Sequence, residues 1–342
     1  MRFEFYHPGL ADVPKLSVDG TVDNSVHFSH WQGNTTAAEV KADTSTEIAL
    51  NLVASPNKDK LTQGIELVTN NHFDTDGVLS VWSVLNGERA LGLHDELIAA
   101  AEAGDFSELK TEDAVRASIV IQGTDQPIPD EQPGSPIAAQ LAGEPVEDEA
   151  RAYKLVLPEV EKIITRTNDY EQLWREPWRR IATAIESFER GSSKVSELAN
   201  GLSLIVLEPD AFGANGFDAT RHTAPFTAIS RYAKGQLFLI ATPVRNGWAY
   251  RIDYPYYSWA ETVVRPRITR HDFATHVLQL NGLENGDGQW VLDKTELSSA
   301  IKFTGADGKL GTSRLTPEQV GESLKSFLSS QLHLAAGGAH DV

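Results

Sequence analysis

The stretch GIELVTNNHFDTDGVLSVWSVL, Gly64 to Leu85, decides how this chain is read. Ile65 to Val68 is a short apolar run that predicts a buried strand, and Val78 to Leu85 predicts a buried helix. Between them lies a polar turn holding Asn70, Asn71, His72, Asp74, Asp76 and Gly77. Strand, polar turn and helix in this order is the unit of an open α/β sheet. Its ligands sit beyond the carboxyl ends of the strands. His72, Asp74 and Asp76 recur at every second position, which in extended backbone puts all three side chains on one side. Two carboxylates and an imidazole in one small volume repel or protonate unless a cation joins them. A mixed nitrogen and oxygen donor set suits Mn²⁺, Fe²⁺ or Zn²⁺ better than Ca²⁺, with Mn²⁺ favoured and Mg²⁺ an alternative. Gly77 fits the tight entry to the helix, and Ser80 lies one turn further, near the helix N-terminus where anions bind.

HFDTDGVLS (His72–Ser80) resembles the first metal motif of the DHH phosphoesterase superfamily, His-x-Asp-x-Asp-Gly-x-x-Ser, on the same kind of turn. The resemblance implies that His72, Asp74 and Asp76 are metal ligands. It also implies a carboxylate from a later segment that completes the cluster, a role Asp105 matches by order. The chain departs from that family elsewhere. It has no Asp-His-His triplet and no glycine-rich GGGH motif, so the remaining ligands and the substrate domain stay unassigned. A second resemblance spans more of the chain. Ser29-His30-Trp31 with Gly33, then Asn70 to Gly77, then Ala103-Gly104-Asp105-Phe106 are similar, in order, to segments of a bacterial family without an assigned activity. It adds His30 and Asp105 as candidate residues and implies no reaction.

Asp-Thr-Asp-Gly is also ordinary turn vocabulary, and a capped helix N-terminus is the competing account of the same residues. An EF-hand is the weaker reading, because Val78 and Leu85 stand at the fifth and twelfth loop positions.

The 342 residues suffice for two domains. No run of apolar residues is long enough to span a bilayer, and MRFEFYHPGL has no secretory pattern. With no cysteine, thiolate catalysis, disulfides and iron–sulfur clusters are excluded, and a cytoplasmic location is expected. A formal net charge of −18 opposes long nucleic acid and anionic membranes as partners. It leaves room for a small anionic substrate at a metal, which inverts the local field. A homo-oligomer is left open.

Along the chain, Lys15–Val18 and Val26–Trp31 predict strands, with Asp19-Gly20 a turn between them. His30 at the end of the second strand, before Trp31-Gln32-Gly33-Asn34, is a candidate catalytic residue; a buried histidine with a backbone partner is the alternative. Thr44 and Glu47 predict a capped helix over 44–52. A helix over 90–103 is expected to stop at Gly104, leaving Asp105 either a ligand or a cap for the next helix. Residues 122–148, rich in proline and acids, read as a linker or lid. A helical stretch over 149–191 follows, interrupted at Pro158 and Pro177 and carrying the stripe Tyr170, Leu173, Trp174, Trp178. Strands are then expected at Leu202–Leu207, Phe226–Ser230, Gln236–Pro243 and Trp248–Tyr254, the last pair joined by Asn246-Gly247. Arg221 and His222 in a glycine-rich loop, and Arg267 among later arginines, are candidates for holding an anion or for acid–base work. A final amphipathic helix starts at Thr316-Pro317.

These readings add up to an α/β N-terminal unit over 1–122, three-layered and DHH-like. An acidic linker and helical connector cover 123–200, and an α+β part with a mainly antiparallel sheet covers 201–342. The expected site has His72, Asp74, Asp76 and Asp105 on metal, His30 and His222 in catalysis, and Asn71, Ser80, Arg221 and Arg267 on substrate. The expected activity is metal-dependent hydrolysis of a phosphoester. A non-catalytic binding module and an amide or cyclic-ester hydrolase are the alternatives.

Overall fold

The structure, a computed structural model, describes residues 1–124, 134–208, 225–293 and 298–337, with side chains through 331. It divides into two units, Met1–Arg179 with Trp259–Arg267, and Arg180–Ser258 with Ile268–Val342. The first unit thus runs past residue 122 and takes in a short segment from much later in the chain.

The first unit is built on a parallel sheet of four short strands, β1 (Arg2–Phe3), β2 (Lys15–Val18), β3 (Val26–Phe28) and β4 (Leu67–Thr69), in the order β1-β4-β2-β3. Leu16, Val18, Phe28, Leu67 and Val68 are buried, so the strands read as apolar runs. Its helices are α1 (Ser45–Ala54), α2 (Lys58–Leu61), α3 (Thr75–Asn86), α4 (Glu88–Leu91), α5 (His94–Phe106), α6 (Glu112–Gln122), α7 (Pro136–Ala142), α8 (Glu149–Val156) and α9 (Val160–Thr165). Helix α10 (Glu171–Glu189) carries the chain into the second unit. Parallel neighbours normally need a long crossover. Here β2 returns to β3 through residues 19–25 alone, because the strands are so short. The return uses two left-handed residues, Asp19 (φ 50) and Asn24 (φ 54). Lys15 fastens it: the buried ammonium donates to the carbonyls of Leu10 (2.9 Å), Ala11 (3.1 Å), Val13 (3.3 Å) and Asn24 (3.1 Å).

The second unit holds a six-stranded sheet of β5 (Lys194–Glu197), β6 (Leu202–Val206), β7 (Leu237–Val244), β8 (Gly247–Asp253), β9 (Gln289–Leu292) and β10 (Ser299–Thr304), in the order β5-β6-β7-β8-β10-β9. Among the described residues only the β6–β7 pair of this sheet is parallel. The unit's helices among the described residues include α11 (Phe226–Tyr232), α12 (Ala274–Leu283) and α13 (Pro317–Gly337). Along β7, Leu239 and Ala241 join one core with Tyr250, Trp290 and Leu324, while Phe238 and Ile240 join another with Phe226 and Ile229. The sheet is therefore covered on both faces. The chain is mixed α/β, with one parallel and one mainly antiparallel sheet.

Several expectations are corrected. Phe226–Ser230 is helical: its β-branched and aromatic composition favours a strand, but Pro225 opens a helix whose first four residues are buried. Helix α5 runs through Gly104 and ends at Phe106, with Ser107 as its C-cap in the left-handed conformation. A Cβ at Gly104 would lie 2.7 Å from Thr75 Cβ and 3.1 Å from Ser118 Oγ, so the glycine permits close helix packing. Asp105 consequently sits inside a helix, and the next one is capped by Thr111. Pro177 lies within an uninterrupted α10, which forgoes one backbone hydrogen bond there. The strand expected over Val26–Trp31 ends at Phe28, and β9 and β10 carry no strong sequence signal. Among the described residues, no helix is long and apolar enough to cross a membrane.

Candidate metal centre

Three parallel strands each release an ionisable side chain just beyond their carboxyl ends. Asp19 follows β2, His30 follows β3, and His72 and Asp74 follow β4. Asp76 lies in the first turn of α3, and α5 delivers Asp105. The result is two donor sets that share one residue: Asp19, His30, Asp76 and Asp105, all buried, and Asp19, His72 and Asp74. Within each set the donor atoms lie within 4.8 Å of one another.

Asp19 is the hinge of the arrangement. Its Oδ1 is 3.4 Å from His30 Nε2, and its Oδ2 is 3.1 Å from His72 Nε2. His30 Nε2 also lies 3.1 Å from Asp105 Oδ2 and 3.8 Å from Asp76 Oδ2, and His72 Nε2 lies 3.0 Å from Asp74 Oδ2. Adjacent ligands of an octahedral ion with bonds of about 2.1 Å stand about 3 Å apart, which is this spacing. The left-handed backbone of Asp19 costs on the order of 1 kcal/mol and is held at the site it serves.

The surroundings orient each ligand. His30 Nδ1 donates to the Asp43 carbonyl at 2.6 Å, which leaves Nε2 facing the carboxylates, fully buried and without hydrogen-bond geometry to any partner. His72 Nδ1 donates to Asn71 Oδ1 at 3.2 Å and turns its own Nε2 the same way. Partners of this kind fix tautomer and ring orientation in metal sites. Asp76 accepts the first amides of α1, Ser45 N on Oδ2 and Thr46 N on Oδ1, both at 2.7 Å. Ser45 Oγ donates to Asp19 Oδ1 at 2.8 Å. Asp74 is the N-cap of α3, its Oδ1 accepting from Gly77 N at 2.7 Å. The capping account is therefore correct for one oxygen of Asp74, while the other faces His72.

The Asp43 carbonyl is itself anchored. The Asp43 carboxylate accepts from the amides of Val263, Val264 (2.8 Å) and Arg265 (3.0 Å), and from Arg265 Nη1 (2.8 Å). Arg265 also donates to Glu108 (2.9 and 2.7 Å) and Glu102 (2.7 Å) and lies over the Phe106 ring. Trp259 meets His30 edge-on at 4.9 Å. The segment Trp259–Arg267 therefore straps the residues that hold His30.

Charge in the centre is unbalanced. Burial raises Asp19, but His30 and His72 outweigh it and hold its carboxyl below the usual range. Burial lowers both histidines, yet Asp105 and Asp19 raise His30 well above 6.5, and Asp74 and Asp19 do the same to His72. Burial, with Asp19 beside it, pushes Asp76 up to about 7. Burial and Asp74 raise Asp105 well above 3.8. His30, His72 and Asp105 are thus shifted toward their protonated forms and Asp76 toward neutrality, protons that a cation would displace, and the two Nε2 atoms are directed where such a cation would sit. The residues fit a metal, and the buried Asp/His group can hold one.

The sign of the pH dependence follows. The stabilisation from His30 and His72 is complete below about pH 6.5 and is lost as pH rises through their raised values. Asp76 binds its proton more tightly folded than unfolded, so it also removes stability between about pH 4 and 7. Metal-free protein is expected to melt at progressively lower temperature from pH 5 to pH 8. Mn²⁺ should reverse that slope by displacing the protons. Scanning fluorimetry in chelator and in MnCl₂ measures both slopes, and parallel slopes would show that the ion does not bind these groups.

The remaining candidates are placed as follows. Asn71 is the partner of His72 Nδ1. Ser80 is fully buried, its hydroxyl donating to the Gly77 carbonyl at 2.9 Å. Arg267 is exposed at the end of the strap. Arg221 and His222 lie outside the described residues. Asp19 is the site residue that sequence reasoning missed. Its signal was a carboxylate directly after an apolar strand, hidden by the turn reading of Asp19-Gly20.

A family model described as a family of unknown function, DUF6687, matches residues 2–336, and the chain belongs to that family. No curated protein matches it. Among solved structures, one described as "pGpG-specific phosphodiesterase - PggH from Vibrio cholrae" aligns over 93% of this chain and 99% of that one, with a TM-score of 0.37 and 9% identity. A likeness of that size carries no argument.

Proposed function

We propose that this chain is a metal-dependent hydrolase holding two Mn²⁺-like ions, which cleaves a phosphoester in a small anionic substrate. The observation that carries the reading is Asp19, whose two oxygens face two separate histidine–carboxylate sets. Asp19, His30, Asp76 and Asp105, with His72 and Asp74, would hold the ions, which would supply Lewis acidity and a water of lowered pKa when bound. The protein's own part is orientation. The Asp43 carbonyl and Asn71 hold the histidines, and the first amides of α1 hold Asp76. His30 and Asp105 join Asp19 and Asp76 in the buried donor set. DHH-like character and a cytoplasmic location belong to the same proposal.

A cavity of about 650 Å³ borders the site through Asp74, walled by Phe5 and Phe73 and edged by Gln122, Glu147 and Glu149. None of its described lining residues is basic. In our reading the ions hold the anionic group, and the cavity takes an uncharged part of the substrate.

The test is hydrolysis of a phosphomonoester and phosphodiester panel by protein with Mn²⁺ and with chelator. The expected result is turnover only with the ion. Turnover of amides or cyclic esters alone would change the reaction assigned to the centre. Metal binding without turnover of any panel member would favour a binding module.

A further inference from the structure

We infer that Trp31 is a specificity-determining residue that receives a flat aromatic group of the substrate beside His72; the inference rests on the metal-dependent reading above. The way in to the centre singles it out. Asp19, His30 and Asp76 have fully buried side chains and that of Asp105 is 5% exposed, whereas His72 is 23% exposed and Asp74 28%. A substrate therefore reaches the ions over His72 and Asp74, and aromatic side chains flank both. Phe5 and Phe73 wall the cavity on the Asp74 side. Trp31 stands on the His72 side, its ring 5.1 Å from the imidazole and tilted by 46°.

Of the seven tryptophans only Trp31 is exposed, and the turn that carries it is built to keep it there. Trp31 N donates to Ser29 Oγ at 3.1 Å, and the Trp31 carbonyl accepts from Asn34 N (3.1 Å) and Asn34 Nδ2 (2.8 Å). The strap grips the same turn. Gln32 Nε2 donates to the Trp259 carbonyl at 2.9 Å, and Glu261 accepts from Gly33 N at 3.0 Å and Asn34 Nδ2 at 2.9 Å. Gly33 closes the turn with a left-handed φ of 80°, where a side chain would be strained. Trp259 meets the Trp31 ring edge-on at 5.7 Å. A large ring fixed in advance loses little freedom on binding.

The chemistry of the class follows. With the anionic group on the ions, what lies against Trp31 is the organic part attached to that group. An indole separates a flat ring from a saturated one of similar size, because offset-stacked and edge-to-face contacts add to plain apolar burial. The assigned substrate class is an ester whose anionic group is next to an aromatic ring, with the ring on the His72 side of the centre.

The probes are benzylphosphonate and cyclohexylmethylphosphonate, anions that resist hydrolysis and differ in the aromaticity of one ring. Each is titrated calorimetrically into the full chain loaded with Mn²⁺. The wild type is expected to bind the benzyl compound about 3–10-fold more tightly, which is what a ring–ring contact adds beyond burial. Trp31→Leu keeps apolar bulk without a ring and should bring the ratio close to one, while Trp31→Phe should keep most of it. Mn²⁺ affinity, titrated separately, should stay within about threefold of the wild type in both variants. Should Trp31→Leu not fold, Trp31→Gln is read in the same way. A wild-type ratio below about twofold, or no binding of either phosphonate to the loaded chain, would overturn the inference. So would a ratio that survives the loss of the indole, which would put the ring in the cavity of Phe5 and Phe73. Equal weakening of both phosphonates together with weaker Mn²⁺ binding would make Trp31 a support for His72 alone, and overturns it too. A wild-type chain that takes up no Mn²⁺ overturns the metal reading and this inference with it, and that is seen before any phosphonate is added.

Discussion

Asp19→Asn is expected to empty both halves of the centre at once. The asparagine keeps the size of the side chain and tolerates the left-handed backbone at this position, where alanine would be strained. It removes the charge that faces His30 Nε2 at 3.4 Å and His72 Nε2 at 3.1 Å. Loss of an outer-shell partner typically weakens metal binding about 10–100-fold, and loss of a shared ligand should exceed the upper end of that range for both ions. Any Mn²⁺-dependent turnover should fall with it. The metal-free variant should also lose part of its pH dependence of melting, because the charge that raises the two histidines is gone. Titration of the variant with MnCl₂, beside the wild type, checks this. Loss of one ion with the other retained would mean that Asp19 belongs to one set alone.

The second large effect is on stability. Arg265→Ala should destabilise the first unit by about 3–5 kcal/mol, the usual result of removing one partner from a buried charge cluster. Its side chain is 14% exposed, and it pairs with Asp43, Glu102 and Glu108 together. Lys110 keeps a contact to Glu102, but Asp43 is left with amide donors only. With a urea dependence of about 1–3 kcal/mol per molar, the midpoint of that unit should move down by roughly 1–5 M. Arg265→Lys should recover part of it, since one ammonium cannot reproduce the forked contacts. The same substitution loosens the anchor of His30, so Mn²⁺ affinity should fall even under conditions where the variant is fully folded. A midpoint within about 0.3 M of the wild type, well short of that shift, would show that the strap contributes little.

What could be read from the sequence was what is local. The alternation of His72 and Asp74 already placed an imidazole beside a carboxylate, but Asp76 lies in α3 and faces His30 instead of sharing their side, because the extended backbone ends at Asp74. The apolar runs of β2, β4, β6, β7 and β8 and the cap at Thr44 were legible because they too are local. Asp19 was not, because its role depends on β2 pairing in parallel with β4 some fifty residues later. Strand pairing leaves no mark on Val18-Asp19-Gly20 itself. Gly104 misled for a related reason: a glycine that ends a helix and a glycine that lets two helices approach are identical in one dimension. The strap from Trp259 to Arg267 was visible only as a cluster of arginines. Its acceptors, Asp43, Glu102 and Glu108, come from distant segments.

The central claim is that a dinuclear centre forms around Asp19. The most direct measurement is metal content by inductively coupled plasma mass spectrometry on protein purified without chelator, then reconstituted with MnCl₂ and desalted. The account predicts close to two ions per chain, one for each of the two donor sets that share Asp19, and almost none in Asp19→Asn. Wild-type protein that emerges without metal, and whose melting temperature does not respond to Mn²⁺, would contradict it and leave His72-Phe73-Asp74 as a capped turn beside a buried cluster of acids.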